Sequence, residues 1–63
     1  PDFSEVESAT AILVAAQDKD WAPIAHEGRL HDRASYRYYW ELLARAHATG
    51  MTLPPAAQER FFA

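Results

Sequence analysis

The residues best equipped for chemistry in this chain are its three histidines and the acids beside two of them: His26-Glu27, His31-Asp32 and the isolated His47. A histidine-carboxylate pair suits a nitrogen/oxygen metal site, and catalytic zinc centres often take two histidines four apart on one helix face. Here the pair is five apart with Gly28 between them. On a continuous helix that spacing sends the two rings to different sides, so the sequence predicts no metal site and no bound cofactor. His47 fits the last turn of a helix, where a protonated imidazole meets the carbonyl end of the dipole. No serine or carboxylate pair has the spacing of a nucleophile with its base, no glycine-rich phosphate loop is present, and the absence of cysteine removes thiol and thiolate-zinc chemistry. The expectation is therefore that the chain holds no catalytic residue set and is not an enzyme acting alone.

Arginine offers a different chemistry. Arg29, Arg33 and Arg37 are spaced by four, with Tyr36, Tyr38 and Tyr39 among them. On an early-starting helix they would form a basic stripe able to meet phosphates while the tyrosines stack on bases. Ile24-Ala25, Gly28, Leu30 and an arginine-rich helix share letters with a helix-turn-helix, although the glycine stands one position early. The competing reading pairs Arg37 with Glu41 and Glu41 with Arg45 along a solvated helix face. Overall charge favours the second: nine acids against six bases give −3, where a nucleic-acid binder usually carries a basic excess.

Positioning these groups falls to helices. Ser4 with Glu7 fits a capping box opening a helix from Phe3 to Gln17, with Val6, Ala9, Ile12, Leu13 and Ala16 at helical spacing. Residues 9–16 carry no charge, and Val14 falls off the main stripe towards Ala11. Apolar residues on more than one side imply cover on more than one side. Asp20 can cap a short second helix that carries Trp21, Ile24 and Ala25 and stops at Gly28. Asp32 to Ala48 reads as a long third helix, terminated by Gly50, with Tyr36, Tyr39, Trp40, Leu42, Leu43 and Ala46 facing inward. A fourth helix from Pro54 or Pro55 to Phe62, capped by Thr52, puts Ala57 and Phe61 inside.

The predicted fold is all-α: a small three-helix bundle with a short fourth C-terminal helix, forming one domain over residues 1–63. Thirteen of the 31 hydrophobic residues are alanine, leaving 18 larger side chains for a core. That suffices for three helices, but not for three helices with a deep pocket beside them. The start at Pro1 and the apolar Phe61-Phe62-Ala63 end suggest a domain excised from a larger protein. Five arginines to one lysine, with abundant alanine, point to a GC-rich bacterial source. No signal-peptide pattern or membrane-length apolar run appears, so a cytoplasmic location is expected. The function expected is a helical protein-interaction or oligomerisation module, contacting a protein partner or a second copy through Ala11, Val14, Tyr38 and Arg45. The alternative is a helix-turn-helix-like nucleic-acid-binding domain using Arg29, Arg33 and Arg37.

Overall fold

A computed structural model describes all of residues 1–63 and contains three helices and one hairpin, in the order α1 (Phe3–Asp18), β1 (Ile24–His26), β2 (Arg29–His31), α2 (Arg33–Ala48) and α3 (Pro55–Phe61). The all-α bundle of three helices plus a fourth is thus incorrect: the second predicted helix is a two-stranded antiparallel sheet.

The reason lies in how α1 ends. The Asp20 N–H donates to the Gln17 carbonyl and the Trp21 N–H to the Ala16 carbonyl, at 3.0 and 2.8 Å. These two bonds form a Schellman motif, which requires a left-handed residue just past the cap. Asp20 fills that role at φ 54° and Trp21 follows at φ 66°. Asp20 therefore closes α1 and cannot cap a second helix. Pro23 then disfavours helical geometry at Ala22. The next residues pair as Ile24 with His31, Ala25 with Leu30 and His26 with Arg29. Glu27 and Gly28, at φ 51° and 78°, make the two-residue turn with positive φ at both positions that right-twisted hairpins prefer. Gly28 is thus a hairpin residue and not a helix stop.

The other boundaries follow local chemistry. The capping box of α1 forms two residues earlier than Ser4 and Glu7: the Glu5 N–H donates to the Asp2 carboxylate at 2.8 Å, and the Asp2 N–H donates to the Glu5 carboxylate at 2.9 Å. Both carboxylates also sit at the positive end of the helix dipole. Asp32 caps α2 by accepting from the N–H groups of Ala34 and Ser35. At the far end of α2, Gly50 repeats the Schellman closure at φ 82°, with its N–H donating to His47 and that of Met51 to Ala46. Pro54, not Thr52, precedes α3 and supplies no side-chain cap, while Pro55 stands at the helix start, where its missing N–H costs nothing.

The core joins α1 to α2. Val6, Ala9, Ile12, Leu13 and Ala16 meet Tyr36, Leu42, Leu43 and Ala46, and Ile24, Leu53 and Ala57 seal the edges. Thr10 is buried among them because its hydroxyl donates to the Val6 carbonyl at 2.8 Å. Trp40, expected inside, is 43% exposed, and Tyr39 is half-buried. The molecule exposes 4275 Å², close to the roughly 4,100 Å² that size scaling gives a folded monomer of this mass. Its total surface is ordinary; the placement of its aromatic residues is what stands out. No helix is long and apolar enough to cross a membrane.

Candidate functional site

The left-handed Trp21 and the outward face of α2 together build an aromatic groove. Trp21 stands edge-on to Tyr36 at a 5.9 Å centroid distance and tilts against Phe61 at 6.4 Å. Trp40 meets Phe61 edge-on at 6.0 Å and stacks on Phe62 at 5.3 Å, and Phe62 in turn stacks on His47 at 4.4 Å. Six rings from the α1–β1 loop, α2 and the C-terminal end of α3 with its capping Phe62 therefore run side by side. Leu13 forms part of the floor of a space of about 380 Å³ also lined by Trp21, Tyr36, Arg37, Trp40 and Phe61. A second, wider groove of about 670 Å³ shares Trp21 and Arg37 and adds Pro23, Asp32, Arg33 and Ala34.

One hydroxyl locks this arrangement. The Tyr36 oxygen lies 2.7 Å from the Ala22 carbonyl and 3.2 Å from the His31 carbonyl. Its single proton donates to the nearer acceptor, tying α2 to the loop that carries Trp21. A bulky residue at positive φ is strained by roughly 1–3 kcal/mol and persists where its surroundings hold it. The Tyr36 bond and the two adjoining rings supply that hold. At the other end, Arg60 bridges Asp18 at 2.8 Å and Gln17 at 3.1 Å, fixing α3 to the end of α1. The Arg60–Asp18 pair is exposed, so it contributes at most about 1 kcal/mol.

The arginine stripe does not form as one helical line. Arg33 and Arg37 lie on α2 and line the wider groove beside Trp21. Arg29 lies on β2, in a separate groove with His26 and His31. Arg37 and Glu41 form the expected pair at 3.5 Å with both side chains largely exposed, which stabilises by a few tenths of a kcal/mol, roughly 0.3–0.5. Of the four residues predicted to contact a partner, Ala11, Tyr38 and Arg45 are exposed and Val14 is half-buried. None of the four lines a groove, and Tyr38 leans edge-on against Tyr39 at 5.1 Å.

Sequence reasoning passed over Trp21 and Trp40 as surface residues because helical spacing assigns them to the core, whereas Phe61 packs half-buried against that core. The available signal was the surplus of aromatic rings along α2, Tyr36 to Trp40, and at Phe61-Phe62. Sequence spacing also separates His26 from His31, yet the hairpin brings their rings to 6.5 Å. No set of three or more histidine and acidic side chains is arranged to hold a metal ion.

No protein-family model and no curated relative matches the chain. A solved structure does match: a citrate lyase from Burkholderia xenovorans LB400 is 51% identical and superposes with a TM-score of 0.90 over 97% of this chain. The match covers 19% of that enzyme's chain, so these 63 residues span about a fifth of the length of the citrate lyase they resemble.

Proposed function

We propose that this chain acts as a helical docking element within a larger citrate-lyase-like enzyme. It seats on the enzyme body through the groove formed by Trp21, Tyr36, Trp40 and Phe61. The reading rests on one observation: nearly the whole fold matches, at 51% identity, a fifth of a citrate lyase chain. The groove supplies the physical means, since tryptophan, tyrosine and arginine dominate the energetics of protein contacts when gathered in a desolvated pocket. In this reading the interaction-module function takes a definite partner, the remainder of a lyase. Any catalytic contribution would be made as part of that assembly. The nucleic-acid reading has less behind it, because Arg29 leaves the helical stripe and the formal charge is −3.

The test is a chimera in which these 63 residues replace the matched segment of the Burkholderia lyase. Expected is a folded assembly that cleaves citrate, and a loss of both assembly and cleavage on Trp40→Glu. A chimera that folds but is as inactive as a segment-deleted lyase would refute the lyase assignment. Equal activity with and without Trp40→Glu would refute the groove as the seat.

A further inference from the structure

Strand register gathers a second group of polar side chains away from the aromatic groove. Alternation along β1 and β2 places Ile24, His26, Arg29 and His31 on one face, with Ala25 and Leu30 on the other. Ile24 and His31 are buried while Leu30 is 75% exposed, so the face bearing the histidines is the inward one. Ser8 of α1 and Tyr39 of α2 complete a groove of about 160 Å³ with His26, Glu27, Arg29 and His31. The imidazoles of His26 and His31 lie 6.5 Å apart, and Tyr39 stands edge-on to His31 at 5.6 Å.

His31 is the informative member. It is 5% exposed, and its Nδ1 is the one buried side-chain nitrogen or oxygen in the chain without a hydrogen-bond partner. An enclosed, unpaired N–H is rarer and costlier than an enclosed lone pair. The neutral ring therefore carries its proton on Nε2, which makes no internal bond. That leaves an N–H donor at the groove together with Arg29, His26 and the Ser8 and Tyr39 hydroxyls. Two imidazoles without a third ligand do not hold a metal ion, and a guanidinium paired across from His26 repels a cation. Guanidinium and imidazole donors suit a carboxylate or phosphate oxygen instead. A volume of about 160 Å³ suits a small ion.

We propose that the groove between the hairpin and α1 binds a small oxyanion, phosphate or a short carboxylate, through His31, His26, Arg29 and Ser8. Glu27, in the hairpin turn, opposes the bound charge and limits affinity. The inference stands independently of docking to a lyase body.

The test is a titration of the 63-residue chain with inorganic phosphate, and separately with acetate, followed by imidazole ¹⁵N shifts against sodium chloride at matched ionic strength. Saturable shifts at His26 and His31 are expected, weakened about tenfold by Arg29→Gln and tightened about threefold by Glu27→Gln. Both substitutions fall on exposed hairpin positions, so the fold survives them. Saturation by phosphate alone or by acetate alone supports the site and identifies the ion class. Shifts that fail to saturate, that chloride reproduces, or that saturate in Arg29→Gln at the same phosphate or acetate concentration as in the parent chain overturn it.

Discussion

Tyr36→Phe isolates the one hydroxyl that holds the Trp21 loop against α2. The ring stays in place, so its packing against Trp21 and the core is kept. What is lost is a 2.7 Å bond to the Ala22 carbonyl and a weaker contact to that of His31. Removing such a bond costs about 1 kcal/mol net. Ala22 is exposed although the bond itself is part-buried, so water reaches its carbonyl in the variant and the orphaned-acceptor cost stays small. For a domain this small, 1 kcal/mol lowers Tm by about 4–8 °C. Tyr36→Ala would be the wrong experiment. An aromatic-to-alanine change costs about 3–5 kcal/mol, as much as a core of this size supplies in total, so unfolding would hide the answer. The two tryptophans complicate fluorescence, and a Trp40→Phe background leaves Trp21 as the sole indole. In that background Tyr36→Phe should raise acrylamide quenching of Trp21 and lower Tm together. An unchanged melt with unchanged quenching would refute the hydroxyl as the lock.

Gly50→Ala should cost about 1 kcal/mol by thermal melt. An added Cβ meets nothing within 4 Å, so the whole effect is the left-handed backbone at φ 82°. Asp2→Ala removes the acceptor of the α1 capping box, and urea denaturation should show a loss of about 1 kcal/mol with an unchanged m-value. Leu43→Ala, at 0% exposure, should cost about 2–5 kcal/mol, enough to populate the unfolded state at room temperature by circular dichroism.

The helix boundaries that sequence conveyed well are those set by a single residue type. Asp32 and Gly50 mark α2 because a capping carboxylate and a left-handed glycine have few substitutes at those positions. The hairpin was hidden because its strands are three residues each, too short for alternation to register, and because Glu27-Gly28 resembles a helix stop. Trp21 was hidden more deeply. Nothing in its neighbours announces two successive left-handed residues, and that backbone turn alone carries its ring onto the outer surface. The same turn decides where Asp20 acts, converting an apparent cap of one helix into the terminator of another. The groove thus depends on a conformation that local propensity disfavours, while the histidine groove depends on strand register, which no linear spacing displays.

Two surfaces compete as the docking face, and one substitution on each separates them. The charge-free stretch of α1 presents Ala11, a methyl group, and Val14, half covered already. Burying what remains of Val14 would add about 1 kcal/mol or less, given roughly 1.5–3 for a whole valine-sized side chain. Trp40 is 43% exposed within a continuous row of rings. Its large area, and the further 0.5–1.5 kcal/mol or so that an aromatic pair adds, make it the stronger anchor. Val14→Asp in the lyase chimera should therefore weaken assembly by about tenfold at most, while Trp40→Glu should abolish it. Both isolated variants should keep their helical circular dichroism, since neither position is among the buried core. Loss of assembly in Val14→Asp with Trp40→Glu unaffected would move the docking face to α1 and leave the aromatic row without a role in it.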